Sequence, residues 1–261
     1  MKLVILEPLG VAKEHLLTMV SKAVNGRMEI VLYDTRAEDV PTLIERSRDA
    51  DIVVLSNFQY RREVMEHCPN LKMVCVAFTG VDHVDIDYCR KRGITVCNGA
   101  GCSPVAVADL VFGMVIALAR RLIPCNDAVR NEKTKEGLVG FELEGKKFGV
   151  IGTGAIGLRT AKIAQAFGCE IYAYSRTQKD IPGITYVALH TLLSTCDIVS
   201  VHVPQTKETV GLIDAEKLAL MKPTAILINT ARGPIVDSTA LAQALKSGRL
   251  AGAGIDVFET E

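Results

Sequence analysis

The sequence predicts an α/β protein made of two parallel-sheet domains. Short apolar runs alternate with amphipathic stretches throughout its 261 residues. The runs fall into a series of five and a series of six, and a glycine-rich turn directly follows the first run of the second series. Strand-like runs alternating with helical patterns are the signature of parallel sheets covered by helices.

In the first series the expected strands are residues 3–6, 29–33, 52–55, 73–77 and 94–97. Amphipathic stretches at 12–24, 40–48 and 85–92 lie between them. This series predicts a first domain over 1–98 and a second over 99–261. The second domain opens with a long helical segment, 103–131. Its part 105–119 is too continuously apolar for a lone surface helix and is expected to be buried between domains or subunits, as in a homodimer. Six strand runs follow, at 148–152, 170–174, 185–187, 198–203, 225–229 and 253–257. Six strands with intervening helices match a doubly wound, Rossmann-like dinucleotide-binding domain.

Apolar residues make up 49% of the chain and charged residues 23%, a balance that supports a core. Thirty Lys and Arg offset thirty Asp and Glu, so no basic excess favours nucleic acid. The first apolar run is cut short by Glu7 and Pro8 and reads as a strand, not a signal peptide. The apolar stretch 110–119 is too short for a membrane span. Eight Cys without a C-x-x-C pair predict reduced structural thiols in the cytoplasm, with neither a disulfide framework nor a metal site.

The sharpest local signal is Gly152-Thr153-Gly154-Ala155-Ile156-Gly157, after an apolar run and before a helical pattern over 158–167. Gly152 allows the tight turn, Gly154 lets the backbone approach a pyrophosphate, and Gly157 lets helix and strand pack closely. The helix N-terminus, at Ala155 and Ile156, then offers free N–H groups to the anion. A tight turn without ligand is the plainer alternative. At the end of the next strand an NAD-selective site places an Asp or Glu on the ribose 2′-OH. Here the residues are Tyr174-Ser175-Arg176-Thr177, with no carboxylate to repel a 2′-phosphate and a guanidinium able to pair with it. NADP is therefore expected in preference to NAD, unless Arg176 is only an exposed strand-end residue. The strand 225–229 leads into Thr230-Ala231-Arg232-Gly233, and the planar fork of Arg232 suits a carboxylate or carbonyl oxygen. Strand ends also carry Arg for no catalytic reason.

Taken together, Thr79-Gly80-Val81-Asp82-His83-Val84-Asp85, the glycine loop, Val203-Pro204, Asn229-Thr230-Ala231-Arg232-Gly233 and Gly252-Ala253-Gly254-Ile255-Asp256-Val257-Phe258 resemble the D-isomer-specific 2-hydroxyacid dehydrogenase family over essentially the whole chain. The resemblance implies a flavodoxin-like first domain and an active site in the cleft between the domains. It implies hydride transfer between NAD(P)H and a small 2-oxo acid or D-2-hydroxy acid. Backbone amides around Thr79 and Gly80 would hold the substrate carboxylate, and Arg232 would orient it and polarise the 2-oxo group. Asp256 would hold the nicotinamide carboxamide, with Val203, Pro204, Thr209, Thr230 and Ala231 lining the cofactor. Glu261 falls where the family carries the acid that pairs with the catalytic His and raises its pKa. The Ser175-Arg176-Thr177 segment resembles the NADP-using glyoxylate and hydroxypyruvate reductases.

Two departures stand out. Asp109 occupies a position where the resemblance leads one to expect Glu. The family's His lies downstream of Glu261, and none of the His at 15, 67, 83, 190 and 202 matches it, so the chain is expected to be the greater part of a longer catalytic polypeptide. His202, in a strand-like run, is expected to be structural. A nucleotide-sensing binding protein of the co-repressor type is the alternative on the same fold. Formate oxidation would need polar groups shaped for a one-carbon anion, and none is recognisable.

Overall fold

The computed structural model describes residues 1–259, so the expectation placed on Glu261 lies outside the described residues. The chain divides into two units, Met1–Cys102 and a second beginning at Ser103.

In the first unit, β1 (Lys2–Ile5), β2 (Glu29–Leu32), β3 (Ile52–Leu55), β4 (Met73–Val76) and β5 (Thr95–Asn98) alternate with α1 (Lys13–Val24), α2 (Val40–Ser47), α3 (Arg62–Met65) and α4 (Ile86–Arg92). The strand order is β2-β1-β3-β4-β5 with every pair parallel, the flavodoxin-like order. Val4, Val53, Leu55, Val74 and Val76 are buried along the strands, and Leu43 and Met65 cover them. The helix ends follow local chemistry. Asp39 and Asp85 accept hydrogen bonds from the amides of Thr42 and Tyr88, and Gly93 closes α4 at φ +71.

The second unit contains α5 (Pro104–Ala119), α6 (Leu122–Arg130), β6 (Lys147–Ile151), α7 (Ala155–Ala166), β7 (Glu170–Tyr174), β8 (Ile184–Tyr186), α8 (Leu189–Thr195), β9 (Ile198–Val201), α9 (Ala215–Leu220), β10 (Ile226–Asn229), a 3-10 turn (Gly233–Ile235), α10 (Ser238–Lys246) and β11 (Gly252–Ile255). Its sheet runs β11-β10-β9-β6-β7-β8, all parallel, which is the Rossmann order. Both faces are covered, so the strands read as continuous apolar runs. Phe148, Val150, Ile198, Ile226 and Ile228 face one core with Val111, Phe112 and Ala161. Val199, Val201 and Leu227 face the other with Leu192, Leu218 and Leu241.

The single helical segment expected over 103–131 is two helices. Arg121 sits between them in the left-handed region at φ +54. Pro124 supplies the cause: in a continuous helix its ring would clash with the carbonyl of Arg120. The freed carbonyl of Ala119 instead accepts from the amide of Phe141 at 2.9 Å. Helix α5 buries Ala108, Val111, Phe112, Val115 and Ala119. Gly252 and Gly254 on β11 admit it closely, for a Cβ on Gly254 would lie 2.8 Å from the Met114 sulfur.

Candidate functional site

The order of the second sheet reverses between β6 and β9. In open parallel sheets, ligands collect beyond the carboxyl ends of the strands at such a point. The segments after β6, β7, β9, β10 and β11 all leave the sheet at this edge.

After β6, Gly152 adopts φ +101, and a Cβ there would lie 2.9 Å from the His202 backbone. Gly157 is packed harder still, its added Cβ falling 1.9 Å from the Gly152 carbonyl oxygen. Gly154 differs from both, with an ordinary φ of −73 and nothing within 4 Å of an added Cβ. Helix α7 starts with no side-chain cap and no acid in its first turn. The amides of Ala155, Ile156 and Gly157 therefore keep their hydrogen-bonding capacity for an anion. Beyond β10, the hydroxyl of Thr230 is buried with no hydrogen-bond partner. A backbone cradle open at Gly154, uncapped amides and an orphaned hydroxyl fit a dinucleotide.

At the end of β7, Ser175 is half-buried while Arg176 and Thr177 are exposed. Hydrogen bonds from the Thr206 side chain and from its own amide hold the Glu208 carboxyl below the usual range, and the Arg176 charge adds to this. After β9, the Thr209 hydroxyl donates to the Pro204 carbonyl at 2.6 Å and accepts from the Thr206 amide at 2.8 Å, tying the Val203–Thr209 loop together.

Asn229 ends β10 and is buried, and its amide organises the turn beyond it. Its Oδ1 accepts from Ala231 N and its Nδ2 donates to the Arg232 carbonyl, both at 3.0 Å. Arg232 follows in an extended conformation, with Nη1 donating to the Ala231 carbonyl at 2.8 Å. Gly233 is required because a Cβ would lie 2.0 Å from the Phe258 carbonyl oxygen. Asp256 leaves β11 with its amide on the Asn229 carbonyl at 3.0 Å and its side chain exposed. Arg232, Thr230, Ala231 and Asp256 thus share one edge of one sheet with the glycine loop.

In the first unit Thr79 and Gly80 follow β4. Asn98 Nδ2 donates to the Thr79 carbonyl at 2.6 Å, and the Gly99 amide to the Phe78 carbonyl at 2.9 Å, which fixes the segment. At that unit's own reversal, between β1 and β3, stands a group that local sequence patterns do not reveal. Glu7 is 1% exposed. Its carboxylate accepts from the Ser56 amide at 2.7 Å and hydroxyl at 2.5 Å, and from Arg36 at 3.0 Å. Arg36 also donates to the Asn57 side-chain oxygen Oδ1 at 2.7 Å.

Burial pushes the His202 pKa down to about 4, so its imidazole is neutral at physiological pH, with Nε2 2.9 Å from the Ser200 hydroxyl. That suits a structural residue. Burial also raises the Cys169 and Cys196 thiols to about 11 and about 12, which leaves them unreactive. Among the described residues no helix is long and apolar enough to cross a membrane, and no cluster of His, Cys, Asp and Glu could hold a metal ion.

Residues 112–261 match the family described as D-isomer specific 2-hydroxyacid dehydrogenase, NAD binding domain. The chain is 42% identical over 254 residues to the glyoxylate reductase of Thermococcus litoralis, covering 92% of this chain and 77% of that protein. Among solved structures, D-lactate dehydrogenase from Aquifex aeolicus, complexed with NAD and lactic acid, is similar with a TM-score of 0.89 and 33% identity. That similarity spans 100% of this chain and 78% of the other. An acyclic imino acid reductase in complex with NADPH and D-Arg gives a TM-score of 0.91 at 28% identity, covering 100% of this chain and 84% of that one. The chain belongs to the D-isomer-specific 2-hydroxyacid dehydrogenase family. It is an NAD(P)-dependent oxidoreductase of 2-oxo and 2-hydroxy acids.

Proposed function

We propose that the chain reduces a small 2-oxo acid of the glyoxylate or hydroxypyruvate kind, using NADPH in preference to NADH, as a cytoplasmic homodimer. The observation that carries the cofactor preference is the end of β7, where Ser175, Arg176 and Thr177 stand without a carboxylate. A 2′-phosphate there meets a guanidinium and two hydroxyls in place of like charge. The glyoxylate reductase relative supports the substrate class, and the NADPH-bound imino acid reductase supports the cofactor. The exposed Leu122, Ile123 and Val129 of α6 support a second copy as the partner.

When bound, the reduced nicotinamide supplies a hydride to the 2-oxo carbon. The chain's residues bind and orient. Gly152, Gly154 and the amides of Ala155, Ile156 and Gly157 receive the pyrophosphate, and Val203, Pro204, Thr209, Thr230 and Ala231 line the cofactor. Asp256 holds the carboxamide. Thr79 and Gly80 hold the substrate carboxylate through backbone amides, and Arg232 orients it and polarises the 2-oxo group. His202, neutral and paired with Ser200, takes a structural role and not that of proton donor to the developing alkoxide, and the acid role expected of Glu261 falls outside the described residues.

The test is an initial-rate comparison of wild type and Arg232→Ala with glyoxylate, hydroxypyruvate and pyruvate. Loss of a preorganised donor at the reacting oxygen should lower kcat/KM by about 10²–10³. Cofactor Kd should stay nearly unchanged, and Arg232→Lys should rescue poorly because a point charge replaces a fork. Near-normal turnover in the Ala variant removes Arg232 from the mechanism.

A further inference from the structure

Thr153, the first variable residue of the glycine loop, is clasped from two directions. It is 3% exposed. Its hydroxyl accepts a hydrogen bond from the Tyr186 phenol on β8 at 3.1 Å. Its carbonyl accepts from the ammonium of Lys179 at 3.1 Å. Lys179 lies four residues beyond Ser175 in the segment joining β7 to β8. It borders a shallow hollow that Gln178, Asp180, Ile181, Ile184 and Tyr186 also line.

An exposed Lys is an odd choice for holding a carbonyl. A neutral donor would do the same, and ordering a four-carbon stem is entropically costly. The ammonium has three donors, and the Thr153 carbonyl takes one. Among the described residues no carboxylate forms an ion pair with Lys179. Arg176, by contrast, stands near the Glu208 carboxylate.

In this fold the adenosine ribose lies between the end of the second strand and the glycine loop. Arg176 stands on the strand side of that space, and the Lys179 ammonium is held on the loop side. A 2′-phosphate carries close to two negative charges and three acceptor oxygens, more than one guanidinium can satisfy. We infer that Lys179 is a second specificity-determining cation for the adenosine 2′-phosphate, held in place at the Thr153 carbonyl. The inference rests on the NADP reading above and deepens it. Arg176 and Lys179 form the two arms of one clamp, and the Tyr186 hydroxyl fixes the residue on which the second arm rests.

The experiment is calorimetric titration of the full chain with two probes, adenosine 2′,5′-bisphosphate and AMP, which differ only in the 2′-phosphate. Wild type, Arg176→Ala, Lys179→Ala and Lys179→Arg are compared after thermal unfolding shows that each is folded. Lys179→Ala should weaken the bisphosphate about five- to tenfold, the share of one solvent-exposed charge-assisted contact. AMP binding should not change, and Lys179→Arg should retain most of the bisphosphate affinity. Equal losses for both probes would make Lys179 a tether of the loop and overturn the inference, as would no loss for either. If Arg176→Ala loses the discrimination while Lys179→Ala keeps it, only the Lys179 inference falls. Equal affinity of wild type for the two probes removes the NADP reading and the inference together.

Discussion

The two sheets of this protein reach the same topological feature by different strand orders and use it in opposite ways. In the first unit, β1 and β3 part at Glu7 and Ser56, and the protein fills the space with its own charges: the Glu7 carboxylate binds Ser56 and Arg36. In the second unit, β6 and β9 part at Gly152 and His202, and the space is left to backbone amides, an uncapped helix and a residue without a side chain. A parallel sheet creates the place at its reversal whatever the sequence. The residues just past the strands decide whether a ligand or the protein's own ion pair occupies it. Charge follows the same division. The first reversal carries a neutralised pair, whereas at the second His202 is neutral and the first turn of α7 holds no acid, so an anion approaching those amides meets no like charge from either.

The largest expected effect separates two glycines of one loop. Gly157→Ala places a methyl 1.9 Å from the Gly152 carbonyl oxygen, where backbone must move. Overpacking of this kind costs about 1–3 kcal/mol or more, and dinucleotide affinity should fall at least about a hundredfold. Gly154→Ala meets nothing within 4 Å, so its unfolding midpoint should match wild type. Its affinity should still drop by more than about tenfold, because the methyl occupies the approach path of the pyrophosphate. Urea unfolding and fluorescence titration read both quantities. A Gly154→Ala protein that binds normally would show that the space is not used.

Next in size, Glu7→Gln tests whether the first reversal is structural. Hydrogen bonds to a charged group contribute about 1.5–3 kcal/mol, and Arg36 would be left facing an amide. Urea unfolding should show that loss while the affinity for AMP, read on the second unit, stays at the wild-type value. Unchanged stability together with weakened AMP binding would reverse the assignment of the two regions.

The smallest effect concerns His202. Its folded pKa of about 4 lies below the ordinary value of 6.5 because burial disfavours the charged ring. Between those values the unfolded chain binds more protons, so this contribution is present above pH 6.5 and is lost as pH falls toward 4. At about 1.4 kcal/mol per pKa unit, and with the residue partly exposed, roughly 1–3 kcal/mol should disappear. Stability measured by denaturant across that window should fall more steeply for wild type than for His202→Gln. Parallel curves would place the His202 titration near neutrality and return it to consideration as a proton donor.

Much of this architecture is legible in local patterns. The strand expected over 170–174 is β7, Glu170–Tyr174, and the helix expected at 85–92 forms with Asp85 as its cap. The glycine loop stands where a strand-before, helix-after context places it, with β6 ending at Ile151 and α7 opening at Ala155. The family was legible because several motifs recur in order over most of the chain, and the match over residues 112–261 agrees. The break at Arg121 was readable too, since Pro124 and its clash with the Arg120 carbonyl are properties of sequence alone. The apolar continuity of α5 obscured it.

What the sequence by itself determined, then, is the period of each element, the chemistry of each turn and the family. These depend on neighbours within a few residues, where side-chain spacing and φ preferences act directly. The tertiary structure alone decided which strands lie side by side and which side chains meet beyond them. Glu7 finds Ser56 across 49 positions, and Lys179 finds Thr153 across 26. Parallel strands join only through crossovers of a dozen or more residues, so partners at their ends are always remote in sequence. No local periodicity records such a meeting, because strand order is settled by the packing of helices on both faces of the sheet.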